Sequence, residues 1–361
     1  MRISGLALLN VFGTRGSMDN IDLPRIALPR TPGETNGAFA ASARQSRLNF
    51  EIFGPEWKGA KASGDMSFDF FGGFPITPDG VSAGIVRLRT ARLRLDAPNT
   101  SIVAGQDVPF FSPRSPTSIA SSAYPPLSSS GNIWVWTPQV QVEHRFNLSQ
   151  DDKFSVQGGI LDAFTGELPQ EYNRIPTAGE RSRMPAYATR LGWEHTVDDR
   201  VSGAGIGGYY ARQNWGFGRM VDSWAATADW DVSLYKAFSL SGEFYRGRAI
   251  GGLGAGETSG ILALDSVGGW SQLKVKPLER LEFNTAYGED QPFTHHLSLS
   301  SNQNFFPETP VGRNASGFVN VIYQPRSNLL FSIEYRRLWT RSLFNPRVTA
   351  DHISFTSGIA F

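Results

Sequence analysis

The densest run of chemically usable side chains is Arg87-Leu-Arg89-Thr-Ala-Arg92-Leu-Arg94. A second pair, Arg44 and Arg47, brackets Gln45-Ser46, and Asp65 and Asp69 lie between the two groups. A guanidinium offers a planar fork of donors that matches carboxylates and phosphates, so the chemistry in view is non-covalent capture of anions. Covalent chemistry has less to work with. Cysteine is absent, which removes thiol nucleophiles, thiolate metal sites and disulfides. Gly203-Ala-Gly205-Ile-Gly207-Gly208 matches a nucleotide-binding fingerprint, but no helix-forming segment follows, and that motif works only at a strand-to-helix turn. On an extended strand such glycines instead permit close approach of another subunit or of an aromatic ring. His352 and Ser354 share one face of a strand, yet Ile353 and Phe355 occupy the face a lipid substrate would meet. His295 and His296 are adjacent in a polar loop, where neighbours on an extended chain point apart and do not share a metal. The expectation is no catalytic residue, no metal site, no cofactor and no enzyme activity.

The elements that must carry the arginines alternate with period two. In Lys61 to Phe70 the odd positions are polar, and the even ones are Ala62, Gly64, Met66, Phe68 and Phe70. Trp224 to Leu234 and Leu329 to Arg336 repeat the pattern, which places one set of side chains on each face of a strand. Trp134, Trp136, Trp193, Trp224, Trp230 and Trp339 fall on apolar faces near strand ends, as an aromatic girdle at a membrane interface requires. No stretch is apolar enough for a helical span, and 40% hydrophobic residues overall suits a barrel, in which only alternate residues meet lipid. The near-neutral net charge of +1 argues against a nucleic-acid partner.

Sixteen such strands can be laid along the chain. Tight connections at Gly54-Pro55-Glu56, 97–99, 148–152, 198–200, 235–237, 277–280 and 325–328 alternate with longer ones throughout. The expected fold is all-β: a transmembrane antiparallel barrel of sixteen strands with short periplasmic turns and long extracellular loops, spanning 1–361 as one domain. Such a barrel leaves an open lumen, where eight strands would be filled by side chains. Met1 is followed at once by strand-like residues, so an export segment is expected to lie outside this sequence. The alternating last strand ends on Phe361, which resembles the C-terminal signal read by the barrel assembly machinery.

Strict alternation would split the arginines between the two faces. An arginine facing lipid near mid-membrane costs about 2–4 kcal/mol. A β-bulge at Thr90-Ala91, and an irregularity at Gln45-Ser46, would return all six to the lumen. Counting up from the turns puts Arg47 level with Arg92. The resulting expectation is a ladder of Arg44, Arg47, Arg87, Arg89, Arg92 and Arg94 that attracts anions. Asp65 and Asp69 compete with it as ion-pair partners. Glu143, Glu194, Asp229, Asp231, Glu243, Glu282 and Glu334 also sit at lumen positions.

Arg2-Ile-Ser-Gly through Asn20-Ile-Asp-Leu-Pro24, Ser42 to Leu48, Asp65 to Phe70, and Arg87 to Arg94 followed by Ala104-Gly105-Gln106 resemble the DcaP-like outer-membrane porins, within the wider phosphate-selective group. The resemblance is best over residues 1–147. It implies a homotrimeric water-filled channel in a bacterial outer membrane, with small anionic solutes such as dicarboxylates or phosphate as substrates and lipid and lipopolysaccharide around it. In sixteen-stranded porins the loop after the fifth strand folds inward. Here that constriction loop spans about 110–132 and carries Arg114 as its one charge. A weakly selective general porin, and less favourably an outer-membrane barrel enzyme, are the alternatives.

Overall fold

The computed structural model describes residues 1–75, 84–167, 174–255, 262–293, 311–343 and 346–361. His295 and His296 lie outside them. Sixteen strands form one closed antiparallel barrel. They are β1 (Arg2–Arg15), β2 (Phe39–Ser42 and Arg47–Trp57), β3 (Ala60–Asp69), β4 (Arg87–Asp96), β5 (Thr100–Asp107), β6 (Thr137–Asn147), β7 (Asp152–Leu161) and β8 (Ala186–Val197). The circuit continues with β9 (Arg200–Asn214), β10 (Met220–Tyr235), β11 (Phe238–Arg248), β12 (Asp265–Leu278), β13 (Leu281–Pro292), β14 (Val311–Arg326), β15 (Leu329–Ser342) and β16 (Val348–Ala360). β1 closes it by pairing with β2 on one side and with β16 on the other, from Leu6↔Ala360 to Arg15↔Asp351. Phe361 completes the seam: its N–H donates to Gly5 O at 3.1 Å, and its ring fills the space a side chain at Gly5 would need.

The alternation sorts the faces as expected. Ile206, Ile333, Ile353, Leu93 and Val319 are all more than half exposed on the outer wall, a distribution that only a lipid surround stabilises. Trp193 and Trp224 join them there. Trp134 and Trp136 do not. β6 begins at Thr137, so these two belong to the loop before it; Trp134 is buried at 9% exposure against Tyr124.

Most of the short turns are tighter than expected, while 97–99 is as expected. β2 runs past Gly54-Pro55 to Trp57, and the reversal is at Lys58 and Gly59, both with positive φ (51° and 79°). Phe53↔Ser63 is followed by Glu56↔Lys61, so Gly54-Pro55 forms a bulge. The same slip precedes three other turns, at Leu234 and, with a proline, at Lys276-Pro277 and at Gln324-Pro325. A bulge at a barrel rim is a place where proline's missing N–H breaks no ladder bond. On the opposite rim the connections are not long throughout, since 215–219 and 343–347 are brief.

Candidate functional site: an arginine wall and two inward loops

The bulge on β4 is present one residue earlier than expected. Ser67↔Thr90 is followed by Phe68↔Leu88, leaving Arg89 as the extra residue. Gln106 on β5 donates to the Arg89 carbonyl at 2.8 Å, so the freed backbone group stays satisfied. Leu88 and Leu93 consequently face out, and Arg87, Arg89, Arg92 and Arg94 all face in. On β2 the irregularity is a full break. Asn10↔Ser42 gives way to Leu6↔Arg47, one residue too many on β2, and Ser46 Oγ fills the gap by accepting from Leu8 N–H at 2.9 Å.

That break aims Gln45 into the lumen, which sequence alternation did not reveal. Its Nε2 donates to Ala120 O at 2.9 Å, while its Oε1 accepts from Ser122 and Ala123 N–H at 2.8 and 3.0 Å. One buried amide thus clamps the loop 108–136 against β2. The first loop, 16–38, also turns inward. Asp22 pairs with Arg44 at 2.5 Å, Asn314 donates to Arg25 O at 3.0 Å, and Ala27 N–H donates to Thr340 Oγ1 at 2.9 Å. His352, expected to share a strand face with Ser354, is buried behind this loop with its ring stacked on Phe12. Nothing there meets a lipid substrate.

The arginines divide by partner. Arg44 is neutralised by Asp22 and covered by Phe71 and Phe74, whose rings lie 4.3 and 4.0 Å from its Cζ. Arg92 bridges Asp65 (2.9 Å) and Asp107 (3.0 Å), and Arg94 pairs with Asp96 (2.6 Å). Arg87 and Arg89 share one carboxylate, Asp69, at 2.6 and 3.2 Å, and also donate to the carbonyls of Ala123 and Ser122. The register puts Arg47 opposite Asp69, hence in a row with Arg87 and not with Arg92 as expected. Asp69 is fully buried, bonded by two guanidiniums and faced across the register by Arg47. Arg47, Arg89 and Arg92 border a cavity of about 460 Å³ on this wall, together with Asp65, Trp136 and Glu51, which is itself paired with Arg2.

Arg114 has the opposite setting. Its guanidinium reaches Asp229 (2.6 Å) and Asp231 (3.4 Å), and its N–H donates to Glu243 Oε1 at 2.6 Å. From β8, Arg190 reaches across β9 to the same Asp229 at 2.8 Å. The inward glycines of β9 make this possible. A Cβ at Gly205 would lie 2.4 Å from the Arg190 guanidinium, and one at Gly207 would lie 2.5 Å from Phe111 O. The glycine motif is therefore a bay for side chains and for the loop. Phe110, Phe111 and Ile133 complete the docking in an apolar cluster with Leu161, Ala188 and Tyr209. Further along, Thr117 N–H donates to Gln272 on β12 at 2.6 Å, while Asn132 braces the loop on itself by donating to Ser115 Oγ. The loop crosses from β9–β11 past β12–β15 to β2–β4.

No family model matches the chain, and no curated relative does. Solved structures do. The outer-membrane channel DcaP of Acinetobacter baumannii superposes with a TM-score of 0.71 at 15% identity, over 100% of this chain and 96% of that one. The anion-selective porin from Comamonas acidovorans gives 0.62 at 12% identity, covering 100% and 99%. OmpT of Vibrio cholerae in its trimer form gives 0.55 at 10% identity, covering 100% and 98%. The chain has the fold of these outer-membrane barrels.

Proposed function

We propose that this protein is a passive diffusion channel for small hydrophilic solutes that favours anions, dicarboxylates and phosphate among them. The observation that carries the reading is the imbalance on the β2–β4 wall, where Arg87 and Arg89 bond Asp69 and Arg47 stands opposite it, beside a cavity of small-molecule size. In a low-dielectric enclosure a surplus of fixed positive charge raises the local concentration of anions. The crossing loop supplies no carboxylate between 108 and 136 to oppose it. The anion-selective porin among the structural neighbours, and the trimer form of another, support an anion-biased homotrimer.

A weakly selective pore is the second reading, because Arg44, Arg92, Arg94 and Arg114 all have carboxylate partners. Liposome swelling with succinate and with a neutral solute of similar size separates the two. Faster entry of succinate, lost in Arg47→Ala, is expected. Equal rates would leave a general porin, and no swelling with either would reject an open channel.

A further inference from the structure

A second group of arginines lies outside the barrel. In an antiparallel sheet residues directly opposite share a face, so the pairing register reads the surface near the extracellular rim. Arg15 on β1 stands opposite Asp351 on β16, and Asp351 stands opposite Arg337 on β15. One strand further, Arg341 stands opposite Arg313 on β14. This face is the outer one: Tyr335, Ile353 and Val319 on the same strand faces are exposed to lipid. Arg347, in the brief connection before β16, completes the group.

Two features set this patch apart from a band of neutral ion pairs. Among the described residues five guanidiniums face two carboxylates, Glu289 (2.7 Å from Arg313) and Asp351 (3.7 Å from Arg337). Directly opposed like charges such as Arg313 and Arg341 destabilise a sheet unless something else neutralises them. Arg341 has no carboxylate partner among the described residues. The patch is also built around a girdle aromatic. Arg337 and Arg347 lie 5.8 and 6.0 Å from the Trp339 ring, which packs near Tyr287. Trp and Tyr mark the depth of the lipid headgroups, so the guanidiniums stand at the level of headgroup phosphates.

We propose that this face, formed by β13–β16 and β1, binds the phosphorylated glycolipid of the outer leaflet. Its guanidiniums take the lipid A phosphates, and the apolar wall below takes its acyl chains. Forks of donors suit phosphate, and the extracellular end is where lipid A lies. The proposal rests on the outer-membrane placement and not on the channel reading, so the two fail separately.

Native mass spectrometry of the folded full chain in detergent tests it, with bisphosphorylated lipid A as probe and its dephosphorylated form as control. Wild type is expected to retain the bisphosphorylated lipid and not the control. Arg313→Gln/Arg341→Gln is expected to lose affinity by roughly five-fold per arginine removed. Arg341→Lys, which keeps the charge, is expected to retain most of it. Heat-modifiable electrophoretic mobility checks folding; should the double variant not fold, Arg341→Gln alone, at an exposed position, gives the same reading. Single-channel conductance should not change in any of them. Binding indifferent to the phosphates or to both arginines would overturn the proposal. So would an oligomer that dissociates in the variants while lipid binding persists, because that assigns the face to contact between copies of this chain.

Discussion

The two inner walls use the same side chains in opposite ways. On β8–β11, Arg114 and Arg190 converge on Asp229, whose carboxylate is 1% exposed, and Glu243 receives the loop backbone. Those charges hold one end of the loop, as Arg87 and Arg89 hold the other through the Ala123 and Ser122 carbonyls. On β2–β4 the ratio is reversed, with three arginines about Asp69, and Arg92 beside them remains 39% exposed. The two clusters are equally buried, so what separates them is the ratio: the one with a carboxylate for each arginine is neutral, while the one with three arginines to one carboxylate carries charge that can act on solutes. Counting arginines cannot distinguish them; counting the carboxylates each can reach does.

The largest expected effect comes from breaking the balanced cluster. Asp229→Ala leaves Arg114 and Arg190 without their shared partner and should cost about 3–5 kcal/mol. Its counterpart on the other wall, Asp65→Ala, leaves Arg92 paired with Asp107 and open to water. That change should cost about 1 kcal/mol or less. Thermal unfolding of both variants in one detergent measures the difference, and equal losses would erase the distinction between the walls. Next comes Gly207→Val, which pushes Phe111 and Thr227 away from the bay. Overpacking of this kind costs about 1–3 kcal/mol. Single-channel conductance should rise and become noisier as the loop loosens, whereas an unchanged trace would mean that the glycines do not seat it.

Much of the barrel was legible in the sequence, because lipid enforces period two on every strand and penalises each outward arginine. That penalty alone located the irregularities on β2 and β4 to within a residue. Partners were not legible. Asp22 meets Arg44 through a loop whose inward course no periodicity records, and Asp107 sits at the end of β5, where alternation says little. Arg190 had a readable signal that went unused: an inward arginine and an inward aspartate two strands apart, with inward glycines between. Trp134 and Trp136 misled because aromatic residues suit a girdle and a packed loop equally well.

The smallest effect lies outside the walls, in the one-turn helix Ala178–Arg181 of the loop 162–185. The Thr177 N–H, and then Arg174, hold the Glu180 carboxyl below its ordinary value of 4.5. Its capping contribution is therefore present above that value and is lost as pH falls through the lower folded one. Hydrogen exchange at 178–182, corrected for intrinsic pH dependence, should speed up on acidification in wild type. It should already be fast in Glu180→Gln at neutral pH.

The central claim, that the Asp69 wall carries surplus positive charge into the channel, is tested most directly by reversal potential across a planar bilayer under a salt gradient. Wild type is expected to be anion-selective. Arg47→Ala/Arg89→Ala should move it toward the cation side, while Asp231→Ala on the other wall should not. Cation selectivity in wild type, or no shift in the arginine variant, would contradict the account.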